Sequence, residues 1–358
     1  MKNLNFAGLF TGVGGVEFGF EQEHFKAVIA NEIDRDAETA FNTLRQISNP
    51  QASPLKRGDI YDFALDESSH DFLALAQADV LAGGFPCQPF SLAGNKLGFE
   101  DPRGNVYWQI ERIFRRHAPK VVFLENVKNL MSHNGGDTLR RITASLEGRS
   151  FNEGNNAEWL PNVPHYKTSI QVLNALDFGL PQNRQRVFIV GFLDEAQRDT
   201  FELEMTQLQS SIVGKPRANI DEFIDFSDDG PRKHHYVKEH PYFEELSRGL
   251  FDSGPTNRLV AQWRRVYVRT GRPGVVPTLT ANMGTGGHNV PIIKTDNGVI
   301  RKMTPRECFS VQGIKIRDET MTALELQLSD SALYKQAGNS VAVPVIAALA
   351  RAIRSALT

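Results

Sequence analysis

The chain has 358 residues, enough for about two domains and a sizeable core. Its 40 Lys and Arg stand against 42 Asp and Glu, a formal net charge of -2, which excludes the overall basicity of a protein that holds nucleic acid by charge alone. Two distant cysteines, Cys87 and Cys308, exclude a disulfide framework; with no charged leader and no apolar run near the roughly 18 residues of a membrane span, the expected setting is the cytoplasm.

Over residues 1–195 short apolar runs alternate with longer amphipathic stretches, the pattern of an α/β fold with a parallel sheet covered by helices. Strands are expected over residues 5–9, 27–30, 80–82, 121–124, 168–173 and 187–191, and helices over 16–22, 36–44, 106–116 and 137–146. Residues 148–164, rich in Asn, Gly and Pro, read as a surface loop or insertion. From about residue 201 to 300 the alternation fails, and turns such as Asp229-Gly230-Pro231 and Arg272-Pro273-Gly274 mark a second, mixed domain. A helix over 343–356 closes the chain, giving expected limits of 1–195, 196–300 and 301–358, the last returning to the first domain.

The residues with chemistry sit at the expected strand ends, where α/β sheets bind their ligands. Phe10-Thr11-Gly12-Val13-Gly14-Gly15 follows the first strand and precedes a helix, so backbone can approach a ligand there. Glu32, 17 residues beyond Gly15, lies in Asn31-Glu32-Ile33-Asp34 at the tip of the second strand, placed to bond ribose hydroxyls; Asp59 and Ile60 follow where an adenine would lie. The competing reading of Asp34, Asp36 and Asp59 is helix capping, and it is preferred for Asp36. Pro86-Cys87-Gln88-Pro89 holds a cysteine rigidly past the third apolar run, either a buried core thiol or a nucleophile. Glu125, in Glu125-Asn126-Val127, ends the next strand on the same edge, where an acid can hold a ring nitrogen while a thiolate attacks. Arg184 and Arg186, at spacing two before a further strand, point the same way.

These motifs, in this order, resemble the bacterial cytosine-C5 DNA methyltransferases over nearly the whole chain apart from residues 148–164 and about 201–276. Thr304-Pro305-Arg306-Glu307-Cys308 and Gln336-Ala337-Gly338-Asn339-Ser340-Val341 resemble further signatures of that family. The resemblance implies a Rossmann-like S-adenosylmethionine-dependent methyltransferase sheet with a small inserted target-recognition domain. It assigns Phe10, Gly12, Gly14, Glu32, Ile33, Asp59, Ile60 and Asn339 to the S-adenosylmethionine pocket. Cys87 would add to cytosine C6, Glu125 would hold N3, and Arg186, supported by Arg184, would sit at O2 of a base flipped out of duplex DNA. Residues 91–104 resemble the loop that closes over the flipped base. The chain departs from the family at Gly8, where Asp is frequent, and at Thr11, where Ala is usual. A monomer, acting on DNA beside a separate restriction endonuclease, is the family's ordinary arrangement. The rival readings are a tRNA cytosine methyltransferase, whose variable domain is shorter than the roughly 100 residues here, and a DNA-binding regulator with idle chemistry.

Charge is unevenly spread. Residues 253–295 contain no Asp or Glu but carry Arg258, Arg264, Arg265, Arg269, Arg272 and Lys294, interleaved with Trp263 and Tyr267 at spacing four. These arginines are expected to meet phosphates, and base reading is expected between Arg269 and Asn289, Thr278 and Leu279 included. The phrase from Pro277 to Asn289 resembles relatives that read CCGG or CCNGG. Trp263 and Tyr267 could equally form the inner stripe of an amphipathic helix. Cys308 is expected to be a buried structural thiol. His234, His235 and His240 lack partners at metal-ligand spacing and are expected to face solvent or phosphate.

Overall fold

Along β1 (Leu4–Leu9), Phe6 enters one core cluster and Ala7 the other, and the same alternation runs through β4 (Val80–Gly84) and β5 (Val121–Val127), while β2 (Phe25–Glu32) sends Phe25 and Ala27 to the first cluster and, past an irregularity in register, Ile29 to the second. Such period-two burial on both faces is what a sheet covered by helices on each side requires. The structure is a computed structural model and describes residues 3–48, 55–65, 69–85, 106–149, 160–264, 267–285 and 289–358. Cys87 and residues 91–104 lie outside the described residues, as do 150–159 of the expected surface loop, Arg265, and 286–288.

With β3 (Lys56–Arg57), β6 (Lys167–Asn174) and β8 (Gln185–Phe192), these strands make a seven-stranded sheet in the order β3-β2-β1-β4-β5-β8-β6. The helices α1 (Gly15–Gln22), α7 (Glu195–Ile212) and α12 (Val343–Leu357) cover one face; α5 (Val106–His117) and α6 (Asp137–Leu146) cover the other. Phe20 of α1 stacks on Phe6 and meets Phe25 and Phe123 edge-on, with ring centroids 5.0–5.4 Å apart. Between β1 and β4 the strand order reverses, which opens a crevice at their carboxyl ends.

The sheet is not wholly parallel. β8 runs antiparallel to both β5 and β6. This sets one antiparallel strand within the parallel sheet expected from the sequence, and it matters for the site, because the start of β8 lies at the edge where the parallel strands end. The 18-residue α7 starts at the expected limit of 195, and its Phe201 and Met205 are buried in the core of the large sheet.

A second sheet, in the order β10-β9-β12-β13, comprises β9 (Ala261–Trp263), β10 (Val268–Thr270), β12 (Ile292–Lys294) and β13 (Ile300–Lys302), all antiparallel. Trp263 and Tyr267 therefore flank a hairpin rather than a helix. Trp263 is buried and stacks on Tyr242 at 3.6 Å, while Tyr267 is exposed. Arg301 of β13 is buried and forms two 2.8 Å bonds with Glu307, which also caps its own helix, α9 (Pro305–Ser310), with Thr304. The signature Thr304-Pro305-Arg306-Glu307 is thus a joint where the chain returns to the large sheet.

After α10 (Asp318–Gln327), α11 (Asp330–Asn339) breaks at Ser340 and turns into α12. One 18-residue window within residues 330–357 is apolar enough for a membrane span by composition, but 72% of it is buried inside the protein, as in a core helix. The α12 helix presses so closely on α1 that a Cβ at Gly19 would lie 2.5 Å from Ile346.

Candidate active site

Glu125 faces the carboxyl edge from β5, opposite Gly84 of β4. A Cβ on Gly84 would stand 3.0 Å from Glu125 Oε2, so glycine there leaves room for the carboxylate. Arg186 pairs with Val127 across the antiparallel ladder, and its Nε meets Glu125 Oε1 at 2.9 Å; both side chains are largely buried. The reversed direction of β8 creates this pair. Had β8 run parallel, Arg186 would lie at the opposite edge. Asn126 Nδ2 donates to the Phe85 carbonyl at 3.2 Å, fixing the chain two residues before Cys87. Asn126 was missed in the sequence as an individual contributor; its one signal was a buried polar residue in an apolar strand.

Around the first loop, Phe10 (φ 54°) and Gly12 (φ 57°) both adopt left-handed backbone, unusual for a phenylalanine. Open space surrounds the missing Cβ of Gly12. Glu32 Oε2 accepts from the Gly12 N–H at 2.9 Å, and its Oε1 accepts from Ile33 and Asp34 N–H groups at 2.8 and 3.0 Å. Ile33 beside it is 60% exposed. Asp59 follows β3 and accepts from the Tyr61 N–H at the start of α3 (Ile60–Leu65). Asp34, rather than Asp36, caps α2 (Arg35–Ser48), accepting from Asp36 and Ala37 N–H groups at 2.8 and 3.2 Å. Burial alone would raise the Asp34 carboxyl, but the Lys335 ammonium and those N–H groups outweigh it and hold it below the usual carboxylate range. A Cβ on Gly15 would collide with Ser340 and Val341, which shows how closely the α11–α12 corner, with exposed Asn339, approaches this loop.

The two departures, Gly8 and Thr11, belong together. The Thr11 hydroxyl donates to Glu17 Oε1 at 2.7 Å, and a Cβ on Gly8 would sit 2.0 Å from that oxygen. Glu17 is fully buried and was not singled out in the sequence, where it resembles any acid in the first turn of a helix.

Arg184 is a clasp rather than a partner of the base. It is 3% exposed, and its guanidinium donates to the carbonyls of Leu279 (2.8 Å), Gly338 (3.3 Å) and Ser340 (2.6 Å). Gln182, which shares the resemblance motif Gln182-x-Arg184-x-Arg186, bonds Val311, Gln312 and Leu279 from β7 (Gln182–Asn183), which pairs with β11 (Val276–Pro277). The Thr278 hydroxyl donates to the Asn183 carbonyl, and Leu279 is wholly buried. The expected base-reading role of Leu279 therefore needs revision, since its side chain is core and both its backbone groups are engaged.

On the second sheet Arg258 also departs from expectation. It pairs with Asp221 (2.8 Å) and Asp296 and stacks over Phe226 at 4.1 Å. Both acids lie outside the acid-free window, Asp296 immediately after it and Asp221 well before it. Arg264 is exposed and bonds Asn289 Oδ1 at 3.0 Å; Arg269 and Arg272 are exposed, without a carboxylate partner among the described residues. His234 is buried against Asp330 (2.8 Å) and His235 bonds the Asp229 carbonyl (2.7 Å), so neither is a solvated histidine. Burial lowers the His234 imidazole despite Asp330, and burial raises the Cys308 thiol well above its ordinary range, leaving it an inert core group.

Comparison with known proteins gives a consistent picture. The C-5 cytosine-specific DNA methylase family profile matches residues 4–355. The chain is similar to "Type II methyltransferase M.Bsp6I" of Bacillus sp. (strain RFL6), 40% identical over 98% of each chain. It is also similar to "Type II methyltransferase M.HhaI" of Haemophilus parahaemolyticus, 30% identical over 100% of this chain and 96% of that one. Among solved structures, S. pombe Dnmt2 methyltransferase superposes with a TM-score of 0.67 at 16% identity, over 99% of this chain and 100% of that one, a likeness of fold.

Proposed function

This chain belongs to the C-5 cytosine-specific DNA methylases and is a DNA (cytosine-5)-methyltransferase, and from that premise we propose which of its residues carry the reaction. The Glu125–Arg186 pair at the carboxyl edge, with Asn126 tethering the chain just before Cys87, is the observation that carries the reading. Cys87 as thiolate adds to C6 of a flipped-out cytosine. Glu125 donates a proton toward N3, so the ring accepts the electron pair pushed toward C5. Arg186 fixes Glu125 and offers its remaining N–H groups to O2. After C5 has taken the methyl group, its proton leaves and the C6–sulfur bond breaks, restoring both the aromatic ring and the Cys87 thiolate.

The methyl donor is S-adenosylmethionine, which supplies an electrophilic methyl on a sulfonium. The loop residues fit it: Gly12 opens to free space, Glu32 presents an oriented carboxylate to ribose hydroxyls, and exposed Ile33 offers an apolar face to adenine. Phe10, Gly14, Asp59, Ile60 and Asn339 complete the pocket. Arg264, Arg269 and Arg272 meet DNA phosphates, while Arg258 and Arg184 shape the surfaces that carry them. The protein works as a cytoplasmic monomer, protecting a short GC-rich palindrome from a separate nuclease.

Incubation with isotopically labelled S-adenosylmethionine and either duplex DNA or tRNA, followed by bisulfite sequencing of the product, tests this. Label in 5-methylcytosine at one short motif of duplex DNA is expected. Label confined to tRNA, or dependence on a different donor, would contradict it.

A further inference from the structure

The carboxyl of Glu17 lies beneath the loop that Phe10 and Gly12 shape. It enters from α1 into a space that exists because residue 8 is glycine. One oxygen accepts the Thr11 hydroxyl; the other is buried with no hydrogen-bond partner among the described residues. A buried acid half-satisfied in this way costs stability, so its persistence asks for a local reason. The Thr11 N–H meanwhile donates to the Asn31 carbonyl at 3.0 Å, next to Glu32, and the Gly14 N–H returns to the Thr11 carbonyl at 3.0 Å. Thr11 is therefore the hub of the turn, and Glu17 is what its side chain holds.

We propose that Glu17 is a positioning residue for the cofactor loop: it anchors Thr11 and thereby holds the left-handed turn through Phe10 and Gly12 that receives the methyl donor. This rests on the functional reading above. Burial pushes the Glu17 carboxyl up to about 7, against the Thr11 bond and the Arg45 charge, with Glu21 of the same helix adding to the rise. Arg45 is itself ion-paired with Glu21. What Thr11 needs from residue 17 is an acceptor oxygen, which an amide supplies as well as a carboxyl does.

The test is calorimetric titration of S-adenosylmethionine into the full-length wild type, Glu17→Ala, Glu17→Gln and Thr11→Val, with duplex DNA affinity and thermal unfolding measured alongside. Glu17→Ala and Thr11→Val should each weaken cofactor binding roughly 5- to 10-fold, the loss of one hydrogen bond, and raise the cofactor KM more than they lower kcat. Glu17→Gln should remain within about threefold of wild type, well short of the loss of one bond. DNA affinity should not follow the cofactor trend. If Glu17→Ala does not fold, Thr11→Val decides, since it removes only the hydroxyl. Equal cofactor affinity in all variants would overturn the inference, and so would a loss in Glu17→Gln as large as in Glu17→Ala. A wild type that binds no S-adenosylmethionine would instead remove the functional reading and this inference with it.

Discussion

The two sheets hold their charged side chains in opposite ways. At the carboxyl edge of the seven-stranded sheet, Glu125, Arg186, Glu32 and Arg184 are each held by named partners, and all but half-buried Glu32 are largely withdrawn from water. On the four-stranded sheet, Arg269 and Arg272 project into solvent without a carboxylate partner among the described residues, while Arg258 is tied down by two aspartates. Fixed charge in a protected edge suits bond-making, where a displacement of an ångström is costly. Free charge on a small sheet suits attraction to a polyanion, which needs reach rather than registration. Net charge hides both uses, and only pairing distinguishes them.

The largest effect that can break this comparison is on chemistry. Glu125→Gln keeps the shape of the side chain but cannot deliver a proton, so kcat should fall about 10²- to 10⁴-fold with DNA affinity nearly unchanged. Single-turnover kinetics check it; a loss below tenfold would place Glu125 among structural pairs. Next comes stability. Arg184→Ala strands three buried carbonyls and leaves a void, and unfolding in denaturant should show a loss of about 3 kcal/mol or more that Arg184→Lys does not repair, since lysine lacks the planar fork. Third, Glu32→Ala should cost about 1.5–3 kcal/mol of S-adenosylmethionine affinity, roughly 10- to 150-fold, and little DNA affinity. Smallest are the surface arginines. Arg269→Ala or Arg272→Ala should weaken all DNA sequences alike and reduce the salt slope by about 1. Arg258→Ala should leave that slope unchanged and lower stability instead.

Much of the large sheet was legible, because alternating Phe, Val and Leu with intervening amphipathic helices leaves few arrangements open. All six expected strands and the five expected helices fall on observed ones. The direction of β8 was not legible: a run such as Val187-Phe188-Ile189-Val190 reads the same whichever way it lies. The helix α7 escaped because it buries little beyond Phe201 and Met205, too few apolar positions to draw a stripe. Trp263 and Tyr267 mimicked a helical stripe at spacing four, although the segments that carry them pair as antiparallel strands. The acids that engage Arg258 could not be foreseen, since Asp221 lies 37 residues away. At the site, Glu125 and Arg186 were legible as residue types, but the contact between them depends on strand direction.

The claim at the centre is that Cys87 forms a covalent bond to the target base beside the Glu125–Arg186 pair. Duplex DNA carrying 5-fluorocytosine at the methylated position, incubated with S-adenosylmethionine, tests it directly, because fluorine at C5 blocks the elimination that frees the thiol. Wild type should give a denaturation-resistant protein–DNA adduct with Cys87 as the modified residue by peptide mapping, and Cys87→Ser should bind the duplex but give none. An enzyme that methylates cytosine yet never forms the adduct, or a fully active Cys87→Ser variant, would contradict the account.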